Sequence, residues 1–296
     1  MANRTAAGNN FPTELANEMF VAVQGHSTLA KLSGQKPIPF NGETVFTFSG
    51  AGEASIVGEG DNKPAGAATI APKTIRPIKF VYQHRVSNEF IYSAESKLPY
   101  LQAFADAFSK VIARGLDIAA LHGINPADLA DASFKATNSF DGLVSNLVTY
   151  AAANVDANID AAVQMVLAGD KAVNGIALSP AAGSALAALK VNGVPQFPEY
   201  RFGQNPAAFY GMVSDVNGTV NKTGSASGSQ TDHAVVGDFQ NAFRWGYAKN
   251  IPLEVIEYGD PDGLGDLKRT NEVVLRSEAF IGWGILDAAS FAIVKA

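Results

Sequence analysis

The stretch KLPYLQAFADAFSKVIARGLDIAALHG, residues 97–123, decides how this chain is read. Leu101, Phe104, Ala105, Phe108, Val111, Ile112, Leu116 and Ala119 recur at helical spacing and form one apolar stripe. Gly123 and Pro126 follow it, as they do just past a helix end. The spacing predicts a single helix of about 24 residues, about 36 Å long at 1.5 Å per residue.

Upstream of this helix the period is two. ETVFTFSG (43–50) sets Val45 and Thr47 against Phe46 and Phe48, and IRPIKFVYQHRVS (75–87) carries Phe80, Tyr82 and Val86 in alternation. Between them AGEASIVGEGDNKPAGAATIAPK (51–73) is rich in Gly, Ala and Pro, too small and polar for a core of its own. The expectation is a protruding hairpin whose two strands bracket a long flexible tip. Further upstream, PTELANEMFVAVQ (12–24) spaces Leu15, Met19, Phe20 and Val23 for one short helix, and GHSTLAKLSGQKPIPF (25–40) reads as an extended path. Such an arm buries little by itself and has to dock on something else.

Downstream, DANIDAAVQMVLAG (156–169) and SPAAGSALAALKV (179–191) each predict a short amphipathic helix, the second with Ser179 as N-cap and Pro180 at its first position. VNGTVNKTGSASGSQTDHA (216–234) reads as an exposed, mobile Gly/Ser/Thr loop, and its Asn217 and Asn221 sequons are chance matches in a chain without a secretion signal. The last fifty residues return to strand. IPLEVIEYG (251–259) is one candidate. In TNEVVLRSEAFIGWGILD (270–287), Val273, Leu275, Ser277, Ala279, Ile281, Trp283 and Ile285 share a face, while Glu272, Arg276 and Glu278 point the other way. That predicts a strand of about 14 residues, roughly 46 Å, well beyond the usual 5–6 residues.

Composition narrows the function. The 296 residues are 47% hydrophobic and 17% charged, as in an ordinary folded protein of one large or two modest domains. A net charge of −6 without a basic run argues against a tight nucleic-acid grip, though not against enclosing DNA without holding it. The absence of cysteine excludes disulfides, thiolate nucleophiles and cysteine-ligated metals. No apolar run reaches the roughly 20 residues that cross a bilayer, so no membrane partner is expected.

Chemical motifs are missing where catalysis would need them. GEGDNK (58–63) is neither a dinucleotide fingerprint nor a P-loop, because no helix pattern follows and the chain has no Gly-Lys dipeptide. His26, His84, His122 and His233 are scattered singly, so only folding could bring metal ligands together. Asp260, Asp262 and Asp266 in GDPDGLGD hint at calcium, but Leu264 and Asn271 stand where further ligands belong, and a turn between two strands explains them better. No cofactor, metal or catalytic residue is expected.

The order of arm, long hairpin, long helix, middle region and long terminal strands resembles the major capsid proteins of tailed double-stranded DNA bacteriophages, an α+β fold of the Hong Kong 97 type. The resemblance is carried by SIVGEGDNKP (55–64), by the run from Lys79 to Pro126, by ALSPAAGSALAALK (177–190) with FYGMVSDV (209–216), by VVGDFQNAFRWGYAKNIPLEVIEYGD (235–260), and by SEAFIGWGILDAASFAIVKA (277–296). It implies an N-terminal arm at 1–37, an extended β-hairpin loop at 38–82, a peripheral domain with spine helix at 83–137 plus 247–296, and an axial domain at 138–246. It also implies pentamers and hexamers that self-assemble into an icosahedral shell around double-stranded DNA. The protein would be made in the host bacterial cytoplasm and reside in the virion.

The chain starts at Met and enters the arm almost directly, so scaffolding is expected from a separate protein or not at all. A portal is a further implied partner, and a decoration protein an optional one. Glu59, Asp61 and Lys63 are the candidate inter-subunit contacts. Some relatives crosslink through a loop lysine; Lys63 and Lys73 are available, but no residue pattern specifies an acceptor, and no crosslink is expected. An encapsulin-like compartment shell and a soluble enzyme with a site assembled only by folding remain alternatives.

Overall fold

The computed structural model describes residues 27–51, 55–65, 67–89, 94–222, 232–249 and 253–296. The expected helix at 12–24 lies outside them, as does 223–231 of the Gly/Ser/Thr loop. In chain order the elements are α1 (Thr28–Leu32), β1 (Glu43–Ala51), β2 (Ala67–Ile75), β3 (Ile78–Ser87), α2 (Ala94–His122), α3 (Lys135–Asn138), α4 (Phe140–Leu143), β4 (Leu147–Thr149), α5 (Val155–Ala168), β5 (Gly175–Leu178) and α6 (Pro180–Ala188). There follow β6 (Lys190–Val191), β7 (Val194–Pro195), β8 (Ala208–Phe209), β9 (Met212–Val216), β10 (Asp232–Gly237), β11 (Phe243–Lys249), β12 (Leu253–Ile256), α7 (Leu267–Thr270), β13 (Glu272–Ile285) and β14 (Phe291–Lys295).

The long strand and the long helix form where the periodicities place them. β13 runs 14 residues and is the centre of a four-stranded sheet. β3 pairs along one edge from Ile281↔Ile78 to Glu272↔Ser87, and β12 and β11 share the other edge end to end. Its alternate residues from Val273 to Ile285 are buried, Ser277 among them. α2 begins at Ala94, and of the expected stripe Phe104, Ala105, Phe108, Ile112, Leu116 and Ala119 are buried, whereas Val111 is exposed. Towards its C-terminus α2 is covered on more than one side: Ile118, Ala120 and Leu121 are buried as well.

That second cover is a six-stranded sheet in the order β4-β14-β10-β5-β9-β8. One face of this sheet (Ala177, Val235, Ile293) packs into the core that also holds α2 and β13. The opposite face (Ile176, Leu178, Ala234, Val236, Ala292, Val294) packs on Val155, Ile159, Ala162 and Val166 of α5 and on Ala182 and Leu186 of α6. Ser179 caps α6 as expected, its hydroxyl accepting from Ala182 N–H, with Pro180 in the first turn. The expected segment 247–296 is divided between the two sheets, because β14 is apolar on both faces and needs strands on either side.

Three local expectations are corrected. The hairpin's return strand is β2, paired with β1 from Glu43↔Ile75 to Ala51↔Ala67; all but its last two residues lie inside the stretch expected as tip, whose small residues mask the alternation. β3 joins the large sheet instead, and the expected boundary at 82/83 falls within it. The supposedly extended path at 25–40 contains helix α1, whose Leu29 and Leu32 are buried in the subunit's own core. In the loop at 216–234, Thr219 and Val220 are buried rather than exposed.

The arm and the hairpin root use glycines to approach the large sheet. Lys36 N–H donates to Trp245 O at 2.9 Å and Ile38 N–H to Tyr247 O at 3.3 Å, directly over Gly246. Ile75, fully buried, rests on Gly284, whose Cβ would lie 2.7 Å from Ile75 Cγ1. Arg244 pairs with Glu43 at 2.9 Å beside the same root.

Candidate functional site

Two features of the fold stand apart from ordinary packing: a buried polar junction that seats the arm, and the projecting hairpin.

The junction starts at α1. Asp117, on α2 and fully buried, accepts from Ser27 Oγ, from Thr28 N–H at 2.8 Å and from Leu29 N–H at 3.2 Å, satisfying donors that the start of a helix leaves open. Thr219 Oγ donates to its second oxygen at 3.1 Å. Burial pushes the Asp117 carboxyl up to about 6, against four donors that pull it down. On the other side of α1, Asp215 of β9 accepts from Thr28 Oγ1 and Lys31 Nζ at 2.7 Å each and from Asn205 Nδ2 at 2.9 Å. Burial works to raise its pKa, but these partners hold it below the ordinary carboxylate value. Helix, sheet and arm are thus tied together by two aspartates.

The network continues through Thr219. Its carbonyl accepts from His122 Nε2 at 2.9 Å. His122 Nδ1 faces Asp141 Oδ2 at 3.0 Å and Asp232 Oδ2 at 3.4 Å. Lys295 Nζ reaches Asp141 Oδ1 at 3.4 Å and Asp232 Oδ1 at 3.8 Å. Burial alone would lower the imidazole's pKa, but the two carboxylates outweigh it and raise it to about 9. Asp141, despite burial, is held low by His122; Asp232 is pushed up by burial, with Asp141 adding to the push.

The sheet supplies Asp232 by an irregularity. Between Asp232 and Ala234 the register against β14 shifts, so that Asp232 opposes Lys295 and Ala234 opposes Val294. His233 is the extra residue of a bulge, stacked on Tyr150 at 3.6 Å, and Asp232 turns to the His122 side. His122, Asp141 and Asp232 each place one ligand atom within 4.8 Å of the others. The direct 3.0 Å contact between His122 and Asp141, with Lys295 approaching both carboxylates, makes this a buried ion network in which Asp232 Oδ1 has no hydrogen bond. In the sequence His122 is one of four singly scattered histidines; its partners lie 19 and 110 residues away, and no spacing announces them.

The hairpin extends for nine residues on each strand, about 30 Å at 3.3 Å per residue. Phe46 and Ile70 remain 69% and 63% exposed, large apolar side chains on a two-stranded ribbon. Residues 55–65 at its end are all exposed, and Asp61 N–H closes a turn on Gly58 O at 3.2 Å. Glu59 and Asp61 sit in this turn and Lys63 two residues beyond it, and among the described residues none of the three is in an ion pair within the subunit.

Asp260, Asp262 and Asp266 do form the expected turn between strands. Arg85 of β3 donates from Nε to Asp262 at 2.6 Å, from Nη1 to Glu272 at 3.0 Å and from Nη2 to Gly265 O at 2.7 Å. Asp266 caps α7. A recess of about 680 Å3 by α5 is lined by Ile159, Val163, Phe197, Phe209 and Met212 with Asp156 and Asp160.

The profile of the phage capsid family matches residues 7–296. Among solved structures, a chain from Mycobacterium phage Ogopogo is similar with a TM-score of 0.80 and 35% identity, over 91% of this chain and 92% of that one. A chain from Gordonia phage Cozz gives 0.74 and 27%, over 91% and 86%. The capsid of a native GTA particle computed with C5 symmetry shares the fold at a TM-score of 0.61 and 14% identity, over 90% and 89%. No curated protein matches the chain.

Proposed function

Because the chain belongs to the phage capsid family, and is therefore a structural shell protein of Hong Kong 97-type fold rather than an enzyme, we propose that its shell is an icosahedral head of pentamers and hexamers enclosing double-stranded DNA. Its place is the virion capsid. The observation that carries the finer reading is the two-stranded ribbon β1–β2, which holds Phe46 and Ile70 in solvent. Contact with a neighbouring copy gives such side chains their burial. The acidic balance suits a wall that surrounds DNA without gripping it.

In this reading residues 1–37 are the arm and 38–77 the extended loop, because β3 belongs to the large sheet. The peripheral domain takes 78–137 with 247–296, less the strand β14, and the axial domain takes 138–246 with that strand. The division is supported by the separate packing of α5 and α6 on the outer face of the six-stranded sheet. Synthesis belongs to the host cytoplasm, and a separate scaffolding protein, a portal and an optional decoration protein complete the partners. Glu59, Asp61 and Lys63 make ion pairs to a neighbouring subunit.

The test is electron microscopy of the expressed protein beside Glu59→Lys. Wild-type chains are expected to close into shells, and Glu59→Lys to stay folded while giving few of them. Small discrete oligomers from the wild type would sink the shell reading, and normal particle yield from Glu59→Lys would remove Glu59 from the contacts. Protein cargo instead of DNA in native particles would mark a storage compartment.

A further inference from the structure

The hydrogen-bond partners of His122 place one hydrogen on the ring and set what a second one would do. A backbone carbonyl can only accept, so Nε2, 2.9 Å from Thr219 O, holds a hydrogen. Nδ1 then stands 3.0 Å from one carboxylate oxygen and 3.4 Å from another. With a second proton on Nδ1, the ring and Lys295 together cancel Asp141 and Asp232. Without it, a lone pair faces the Asp141 oxygen at contact distance, and two buried carboxylates share one lysine.

The ring cannot turn from that contact without dropping Thr219 O. Thr219 is also the residue whose hydroxyl donates to Asp117, and Asp117 holds Ser27, Thr28 and Leu29 of the arm. One residue therefore joins the ionisable cluster to the clamp on the arm. We propose that the proton on His122 Nδ1 is a latch: while it is present the arm segment 27–33 stays seated on α2, and its loss unseats the segment.

The groups that face the ring are few. Asp141 comes from α4, Asp232 from β10, Lys295 from β14 and the Thr219 carbonyl from the loop after β9. On α2 itself Asp117 is turned to the arm, and Asp215 is engaged with Lys31 beyond it. His233 lies on the opposite side of the bulge, against Tyr150. The raised pKa of His122, about 9 against an ordinary 6.5, agrees with a latch closed at neutral pH and released by alkali.

Hydrogen–deuterium exchange read by mass spectrometry tests this on shells and free subunits alike, so it does not depend on assembly. The slow exchange of the imidazole C2 proton reports the ring's ionisation, and amide protection, corrected for intrinsic rate, reports the arm. Between pH 6 and 10.5 the ring is expected to titrate near 9, with protection of 28–31 lost over the same interval. Asp232→Asn is expected to move both midpoints down together. In His122→Gln, which carries no titrating ring, protection of 28–31 is expected to be flat across the range. A ring midpoint at or below 6.5 would overturn the proposal, as would an arm whose protection survives deprotonation or whose midpoint stays fixed in Asp232→Asn.

Discussion

Gly246→Ala probes how the arm is held. A Cβ at 246 would sit 1.8 Å from Lys36 O and 2.7 Å from Lys36 C, so the obstacle is backbone and cannot swing aside. Segment 35–38 then has to lift. It loses the bonds from Lys36 N–H to Trp245 O and from Ile38 N–H to Tyr247 O, about 1 kcal/mol each net. It also loses the burial of Ile38, which is 3% exposed, about 2 kcal/mol more. The sum, about 4 kcal/mol, corresponds to roughly a thousandfold more frequent opening of the segment. Amide exchange at Lys36 and Ile38 should speed up by about that factor, with β13 amides unchanged. Gly34→Ala, where nothing lies within 4 Å of the added Cβ, is the matched control and should leave exchange as it was. Wild-type protection at Lys36 and Ile38 in Gly246→Ala would refute the account of the close approach.

Ile75→Ala should empty the hairpin root over Gly282 and Gly284 and cost about 2–5 kcal/mol in denaturant unfolding; a loss under about 1 kcal/mol would mean the root is not packed as described. Stability should also fall in alkali. His122 is raised from 6.5 to about 9 in the fold, so its contribution is complete below 6.5 and disappears as pH rises through 9. The gap is worth about 3 kcal/mol, and equal urea midpoints at pH 6.5 and pH 10 would contradict it. Asp117 has the opposite sign: its folded value of about 6 exceeds the ordinary 3.8, so its ionised form costs stability at neutral pH and acidification through 6 relieves that cost.

How much of this was legible depends on whether a pattern is local. β13 was readable residue by residue, because its buried face repeats every second position for 14 residues. α6 was readable from Ser179 and Pro180, whose roles are set within one turn. β2 was hidden because Ala67, Ala68, Ala71 and Pro72 give no alternation; its strand is defined by β1 opposite, not by its own composition. α1 is five residues long, below the length at which periodicity speaks, and exists because Asp117 and Asp215 receive it. The junction was the least legible part. Its carboxylates and imidazole are common residues, and the bulge that turns Asp232 towards His122 shows only in the register against β14.

The strand order also sets the sequence of events by which the subunit can form. β1 and β2 are separated by only 15 residues of chain and need nothing that comes later in it. β3, by contrast, finds its partner some 190 residues downstream in β13, and β4 and β10 both pair with β14. A ribosome making this chain releases the hairpin and the long helix well before either sheet has its central strand. Contacts of such separation are slow to close and leave apolar faces open meanwhile. The body therefore completes only once residues 272–295 are made. A chain interrupted before them would carry the projecting ribbon without the sheets that anchor it, and so could not offer a neighbour a finished surface.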